Sequence, residues 1–341
     1  MSVLVVTHSE DNVCIPAVME AIRRRGGQPS RFDTDHFHTR VRAAVRYDGP
    51  TEELRLTTPE GTFDLAEVTA VWHRRIAFGR WVPQDLEREV RRACVQESRA
   101  TAMGLLASLR AFHLDLEVNV RSAEHKQLQL RVARELGMET PRTLMTNDPE
   151  ALRAFAATCP GGLLTKMVSS FAVHRDGKEM VVFTTPMKPA DLENTEGLDL
   201  SPMTFQERVP KALELRVTIV GDRVFPAAVD SGAIAGAGDD WRRRGPALTE
   251  SWKPHTLPRE LEQRIMRFMD FFGLNYGAMD FILTPDGRLV FLEINPVGEF
   301  FWLDDVFTPP ISDAMADVML GRAWRREGLS PAARDLRVGQ G

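Results

Sequence analysis

Two carboxylates and one amide near the end of the chain form the most suitable metal-binding set in this sequence. Glu293 and Asn295 lie two residues apart, and Asp280 lies in an apolar segment shortly before them. Residues i and i+2 of a strand point to the same face, and a partner strand can present Asp280 to the same pocket. Such oxygen ligands suit Mg²⁺, which usually keeps water and phosphate oxygens as its other ligands. The alternative is that Asp280 and Glu293 are solvent-facing strand residues, although apolar neighbours argue against a wholly exposed ladder.

Two lysines are candidates for binding phosphate. Lys126 lies in the first turn of a predicted helix, and Lys166 ends an apolar strand that follows Gly161 and Gly162. Phosphates favour the N-terminus of a helix because of its unpaired N–H groups and its dipole. A single lysine is usually only a surface residue, so these two gain meaning only beside a metal–phosphate site.

The segment 206–216 combines exposed backbone with charged side chains. Its candidate nucleotide-binding residues are Gln206, Glu207, Arg208, Val209, Glu214 and Arg216. The backbone could hold adenine, Glu214 the ribose hydroxyls and Arg216 a phosphate. By its chemistry alone, this segment could equally be an ordinary surface strand, because surface strands commonly alternate Glu and Arg.

Three successive regions of the chain supply the elements that must position these residues. Strands alternate with helices over the first 118 residues, which predicts a parallel, doubly wound sheet and a long helix over 84–112. Next, one helix is predicted from a cap at Ser122 to Gly137, and another after Asn147 and Asp148. The last third is rich in strands and contains two hairpins, with turns at 221–222 and 284–287.

Length and composition exclude several classes of protein. A chain of 341 residues is long enough for two or three compact lobes, and its apolar and charged fractions are those of a globular protein. The net charge of −5 argues against a general nucleic-acid binder. No run of about 18 apolar residues predicts a membrane span, and no signal peptide is recognisable. Three scattered cysteines predict no disulfide framework and favour a cytoplasmic protein.

The order of these residues resembles that of the ATP-grasp superfamily, which holds ATP between two α+β lobes. It is most similar to the branch of ligases that make microviridin-type graspetides. The features that favour this branch are the segment 72–75 (WHRR), the block from Glu207 to Thr218, and Asp240-Trp241-Arg242. A Walker loop, G-x-x-x-x-G-K-[ST], is absent from the sequence, which agrees with a different way of binding ATP.

This resemblance implies an α/β and α+β protein with an ATP-grasp fold and an N-terminal Rossmann-like pre-ATP-grasp domain. The expected divisions are a pre-ATP-grasp domain over 1–118, a central lobe over 119–200, a C-terminal lobe over 201–327 and a frayed tail over 328–341. The implied metal ligands for Mg²⁺ are Asp280, Glu293 and Asn295. Lys126, Lys166 and the 206–214 segment would bind ATP, and Arg216 would hold an acyl phosphate. Arg74, Arg242 and Arg243 would meet the substrate.

The implied activity is an ATP-dependent carboxylate ligase acting on a ribosomally made precursor peptide with a leader and an acidic core. It would close side-chain esters with Thr or Ser, or amides with Lys. Nucleic-acid and membrane partners are not expected, and the resemblance suggests a homodimer. Two alternatives share the same ATP site: a ligase that adds a free amino acid to a protein or small acid, and an ATP-binding protein without ligase activity.

Overall fold

A computed structural model gives the fold of most of this chain. It describes residues 1–37, 39–167, 184–232 and 251–327, together with the backbone of 172–175 and 178–181. None of the helices in these ranges is long and apolar enough to cross a membrane.

The N-terminal region is built on the predicted parallel sheet. Its elements are β1 (Ser2–Thr7), α1 (Ile15–Arg24), β2 (Gln28–Asp33), β3 (Arg42–Asp48), β4 (Thr51–Thr58), β5 (Gly61–Asp64), β6 (Val68–His73), α2 (Arg88–Ala107) and β7 (Phe112–Leu114). The parallel sheet has the order β2-β1-β6-β7, and β3, β4 and β5 form a separate antiparallel sheet. Helix α2 is shorter at both ends than the predicted 84–112.

Alternate residues of β1 show why this sheet is covered on both faces. Val3 and Val5 lie in the cluster that contains the apolar face of α1, whereas Leu4 and Val6 lie in the cluster that contains α2. A strand buried on both faces needs a continuous apolar run, and the sequence supplies one. The prediction of a doubly wound sheet is therefore confirmed.

The middle of the chain forms an antiparallel sheet with short helices. Its elements are α3 (Glu117–Glu124), α4 (Lys126–Glu135), β8 (Thr143–Thr146), α5 (Pro149–Ala157), β9 (Leu163–Lys166), β10 (Ala172–Arg175), β11 (Lys178–Val181), β12 (Thr185–Pro186), α6 (Pro189–Glu193) and β13 (Met203–Glu207). The sheet has the order β12-β9-β13-β8, and β10 pairs with β11. Strand β13 thus belongs to this sheet although it follows residue 200. The division of the chain into lobes stays a prediction.

The single helix predicted from Ser122 to Gly137 is wrong. His125 has an extended conformation (φ −70°, ψ 101°), which separates α3 from α4. Ser122 lies inside α3 rather than at a cap. The break places Lys126 at the first residue of α4, as its proposed role requires.

The last part of the chain forms a five-stranded antiparallel sheet backed by a helix. Its elements are β14 (Leu213–Val220), β15 (Arg223–Val229), β16 (Lys253–Pro254), α7 (Arg259–Phe272), β17 (Tyr276–Leu283), β18 (Leu289–Asn295) and α8 (Ile311–Met319), and the strand order is β16-β15-β14-β17-β18. Both predicted hairpins are confirmed. One face of the sheet packs on α7 through Leu261, Ile265, Phe268, Met269 and Phe272.

The first and last sheets share one apolar core. Trp72 of β6 lies in the same buried cluster as Val220 of β14, Phe225 of β15 and Met315 of α8. The middle sheet has a smaller cluster of its own, centred on Phe205. The face of the last sheet that is turned away from α7 therefore borders the N-terminal region.

Candidate active site

Four polar side chains lie side by side on the face of the last sheet opposite to α7. In the strand register, Arg216 of β14 faces Asp280 of β17, and Asp280 faces Glu293 of β18. Asn295 follows two residues after Glu293 and faces Ala278. The alternation of side chains along a strand puts all four on one face. The sequence-based expectation that the three candidate metal ligands share a face is confirmed.

Each carboxylate on this face is paired with a cation. Arg216 Nη1 donates to both oxygens of Asp280, at 2.8 and 3.0 Å, and Lys126 Nζ lies 2.9 Å from Glu293 Oε2. Asn295 Nδ2 lies 3.3 Å from an oxygen of Asp280 and 3.3 Å from one of Glu293. The side chains are largely shielded from water, so these charge-assisted contacts are stronger than they would be at the surface.

The donor set fits a hard divalent cation. Within the described ranges, no group of three or more His, Cys, Asp or Glu side chains could hold a metal ion. A cation at this face would bind the carboxylates of Asp280 and Glu293 and oxygens of water or phosphate; the Asn295 amide would join them once it turns to place its oxygen where Nδ2 now contacts both carboxylates. This is the ligand chemistry of Mg²⁺, which seldom occupies an all-protein cage.

Gln129 attaches helix α4 to the metal-site strand. Its Nε2 donates to the Ile294 carbonyl at 3.0 Å, and its Oε1 accepts from the Ile294 N–H at 3.0 Å. Ile294 lies between Glu293 and Asn295, so Gln129 fixes the strand at the site. Sequence reasoning missed this residue, although its position three residues after Lys126 puts both on one side of the helix.

The predicted nucleoside-binding residues lie where the middle sheet joins the last one. Glu207, at the end of β13, accepts a hydrogen bond from the Arg142 N–H at 2.8 Å, and the Arg208 N–H donates to the Gly162 carbonyl at 2.9 Å. Gln206 Nε2 donates to Thr143 Oγ1 at 3.0 Å. These contacts fix the connecting segment to its own sheet.

Three further candidates extend this region. Lys166 lies opposite Thr204 in the β9–β13 register. Val209 follows β13 in the connection to β14, and Glu214 of β14 pairs with Lys211 at 2.6 Å. The roles of these residues in binding ATP stay predictions.

Of the three predicted substrate-binding arginines, the structure describes Arg74. Arg242 and Arg243 lie outside the described residues. Arg74 is buried, and its guanidinium contacts the Val297 carbonyl and the Glu299 carboxylate. Its contacts are those of a side chain that fixes a loop.

A buried pair of histidines lies in the N-terminal sheet, on β6 and β7. His73 Nε2 and His113 Nδ1 are 2.9 Å apart. Burial lowers the pKa of His73 to about 3, helped by the charge of His113, and burial lowers the pKa of His113 to about 4. Both imidazoles are therefore neutral at neutral pH.

Asp115 anchors the first residues of β17. Its carboxylate accepts from the Asn275 N–H at 2.8 Å, from Asn275 Nδ2 at 3.0 Å and from the Tyr276 N–H at 2.9 Å. Complete burial raises the pKa of Asp115 to about 6, against the lowering effect of these hydrogen bonds. No sequence pattern marked Asp115, because its partners are 160 residues away.

Cys14 and Glu299 form another contact that sequence reasoning missed. Cys14 Sγ donates to Glu299 Oε2 at 2.7 Å. Burial, followed by the neighbouring Glu299 charge, raises the pKa of Cys14 to about 12. The thiol stays protonated and is unsuited to be a nucleophile.

Known proteins match this chain over nearly its whole length. Residues 2–121 match the family model of the MvdD pre-ATP grasp domain. The macrocyclase MdnC of Microcystis aeruginosa MRC, solved with its precursor peptide MdnA, is 45% identical, with a TM-score of 0.85 over 94% of this chain and 100% of that one. This chain belongs to the ATP-grasp peptide macrocyclases.

Two other solved members support this assignment. The RiPP-associated ATP-grasp ligase of Chryseobacterium gregarium, solved with ADP and a leader and core peptide, is 34% identical, with a TM-score of 0.91 over 96% of this chain and 98% of that one. The macrocyclase MdnB of Microcystis aeruginosa MRC is 38% identical, with a TM-score of 0.79 over 94% and 99% of the two chains. A search of curated proteins finds no match. The chain is thus an ATP-grasp ligase with a pre-ATP-grasp domain, as the sequence predicted.

Proposed function

We propose that this ligase uses ATP to close macrocycles in a ribosomally made precursor peptide. A side-chain carboxylate of an Asp or Glu in the peptide attacks the γ-phosphorus of ATP, and ADP leaves. A Thr or Ser hydroxyl, or a Lys amine, then attacks the acyl carbon, loses its proton and expels phosphate. The observation that carries this proposal is the row of Arg216, Asp280 and Glu293 on one face, in a chain 45% identical to a peptide macrocyclase.

The metal-binding role falls to Asp280, Glu293 and Asn295. Bound Mg²⁺ would supply positive charge that neutralises the phosphate oxygens during transfer. Lys126 and Arg216 balance the charges of the two carboxylates. Lys126 can exchange Glu293 for a phosphate of ATP, because both partners are oxygen anions.

Arg216 is the proposed catalytic residue of this face. Its Nη1 binds Asp280, while its Nη2 lies 3.1 Å from the Glu299 carbonyl, so the guanidinium is fixed from two sides. A fixed cation stabilises the charge of an acyl phosphate without reorganisation at the moment of reaction. Lys166 and the backbone around Glu207 and Val209 would hold the rest of ATP.

The peptide substrate supplies both the carboxylate and the nucleophile. For this reason, no side chain of the enzyme has to form a covalent bond. Arg242 and Arg243 are suited to meet acidic side chains of the core peptide. Substrates of this chemistry and a reaction that consumes ATP fit a cytoplasmic site of action.

The test is mass spectrometry of a candidate precursor peptide after incubation with enzyme, ATP and Mg²⁺. The peptide should be encoded beside this gene and be rich in Thr and in Asp or Glu. Each ring expels one water, so the product should be lighter by whole multiples of the mass of water. Omission of ATP is the control.

Two other outcomes would contradict the proposal. A product heavier by an amino-acid residue would identify a ligase that adds free amino acids. Tight ATP binding without any change in peptide mass or release of ADP would identify a non-catalytic ATP-binding protein.

The proposal includes a homodimer as the working unit. Light scattering on the purified protein measures the mass directly, and a monomeric mass at the assay concentration would contradict this part alone.

A further inference from the structure

The loop directly after the metal-site strand is held by side-chain hydrogen bonds to three consecutive carbonyls. We name residues 296–299 the site loop. Its Val297 carbonyl accepts from Arg74 Nη1, its Gly298 carbonyl accepts from the Tyr276 hydroxyl at 2.6 Å, and its Glu299 carbonyl accepts from Arg216 Nη2 at 3.1 Å. Loop carbonyls usually face water, so three successive side-chain donors give this loop one defined position.

Arg74 connects this loop to the N-terminal region. Its N–H donates to the Val6 carbonyl at 2.9 Å, which ties its backbone to β1. Its side chain is only 2% exposed and also contacts the Glu299 carboxylate. The other end of the guanidinium lies 3.7 Å from Asp11. A side chain so enclosed has no free surface with which to meet a peptide.

Gly298 brings the site loop into contact with the sheet face that carries Arg216, Asp280, Glu293 and Asn295, which we name the reactive face. A Cβ at this position would lie 2.8 Å from the Ala278 Cβ, 3.0 Å from Arg216 Nη2 and 3.2 Å from the Asn295 Cβ. The loop therefore packs on the strand positions that carry the metal ligands. A shift of the loop by a fraction of an ångström is transmitted directly to Arg216.

We infer that Arg74 is a positioning residue, which orients Arg216 for catalysis through the site loop. The chain of contacts runs from the Arg74 guanidinium to the Val297 carbonyl, along the loop to the Glu299 carbonyl, and from there to Arg216. This inference rests on the proposed function and replaces the substrate-binding role predicted for Arg74.

The physical reason is that the Asp280 contact alone does not fix Arg216. Asp280 is also a candidate metal ligand, so its oxygens are shared with any bound cation. The Glu299 carbonyl is a neutral acceptor that the cation does not need, and it keeps Arg216 in place when the metal binds. A misplacement of about 1 Å at a reacting group can cost roughly 100-fold in rate.

The experiment compares two variants of the side chains that hold the site loop with a matched control. Tyr276→Phe removes one hydroxyl and leaves the Gly298 carbonyl without that donor, and Arg74→Gln removes the first link. The control, Arg25→Gln, removes another arginine of the N-terminal region, which pairs with Asp313 and Asp317 of α8 at 2.9 and 2.6 Å. All are assayed for ring formation, with kcat expressed per ATP-binding site to correct for misfolded protein.

We expect a loss of kcat with little change in the binding of ATP. The kcat should fall about tenfold in Tyr276→Phe and about 100-fold in Arg74→Gln, the cost range of a misplaced reacting group. KM for ATP and for the peptide should change by less than about threefold, and Arg25→Gln should retain its kcat. If Arg74→Gln does not fold, Arg74→Lys, which keeps the charge but loses the guanidinium fork, tests Arg74 itself, and its kcat should fall as well.

Two results would overturn the inference. An unchanged kcat in Tyr276→Phe and in folded Arg74→Gln would show that the contacts do not orient Arg216. A raised KM for the peptide at unchanged kcat would return Arg74 to substrate binding.

Failure of the proposed function would be recognised separately, because the wild-type enzyme would then form no rings. In that case, hydrogen exchange tests the loop itself. The amides of 297–300 should lose protection in Tyr276→Phe and Arg74→Gln but not in Arg25→Gln, and equal protection in all proteins would overturn the inference.

Discussion

Glu293 combines two contacts that make it the most sensitive residue of the reactive face. It faces Asp280 across the hairpin, and it pairs with Lys126 at 2.9 Å. Glu293→Gln keeps the shape but removes the charge that a divalent cation and Lys126 both need. We expect turnover to fall at least about 100-fold, as for the loss of a metal-site group, with an almost unchanged unfolding midpoint. ADP release and a urea titration measure the two effects.

The matched control is Glu139→Gln. Glu139 also lies beside the last hairpin, where it pairs with Arg288, but its side chain is 41% exposed. A surface ion pair contributes little, so this variant should keep full activity. Near-normal turnover of Glu293→Gln at ordinary Mg²⁺ concentrations would remove Glu293 from the metal site.

The sequence predicted the residues of this face better than their surroundings. Glu293 and Asn295 were recognisable because strand alternation is a local rule. The buried positions of Arg74 and Asp115 were not, since both depend on partners more than 150 residues away. A charged residue in a sequence looks exposed until the fold supplies its partner.

At the scale of elements, the contact between α4 and β18 decides how the site is held. Gln129 occupies both the N–H and the carbonyl of Ile294, and it is buried. Gln129→Ala leaves the Ile294 N–H without this partner, whereas the Ile294 carbonyl keeps its hydrogen bond from Lys126 Nζ at 3.3 Å. One buried unpaired group costs about 1–3 kcal/mol, and we expect the unfolding free energy to fall by that amount. Urea unfolding monitored by circular dichroism measures this loss.

Gln127→Ala is the control, because Gln127 is on the same helix but exposed. Its change should stay within about 0.5 kcal/mol. Equal destabilisation by the two substitutions would mean that helix propensity, rather than the contact with Ile294, determines the result.

Element types and hairpins were predictable where the signal is local, whereas pairings between strands far apart in the sequence were not. The turn at 284–287 and its flanking strands follow from a Pro-Asp-Gly sequence between apolar segments. The pairing of β13 with β8 and β9 joins segments that are far apart in the sequence. Strand β13 lies after the predicted boundary at residue 200, but its partners β8 and β9 lie before that boundary.

At the scale of the whole molecule, the buried histidine pair makes stability depend on pH. His73 and His113 lie at the border of the N-terminal region, and their pKa values of about 3 and 4 lie below the usual 6.5. Between pH 6.5 and 4 the unfolded chain binds protons that the folded protein excludes. The stability contributed by the neutral imidazoles is therefore complete above pH 6.5 and decreases on acidification, by at most about 1.4 kcal/mol per pH unit for each imidazole.

Asp115 acts in the opposite direction. Its pKa is raised to about 6, so between pH 4 and 6 the folded protein binds a proton that the unfolded chain releases. Acidification in this range therefore favours folding at Asp115. Two imidazoles oppose one carboxylate, and the net effect of the three groups is a loss of stability in acid.

The double variant His73→Phe and His113→Leu separates these contributions. Replacement of both partners by apolar groups is close to neutral for stability at pH 7.5, because no buried polar atom of the pair is left behind. On acidification to pH 5, the variant should lose less unfolding free energy than the wild type, since only the imidazoles have been removed and Asp115 still favours folding in acid. Urea unfolding of both proteins at pH 7.5, 6 and 5 gives the two curves. Parallel curves would mean that the two imidazoles bind protons equally in the folded and unfolded states, which would contradict this prediction.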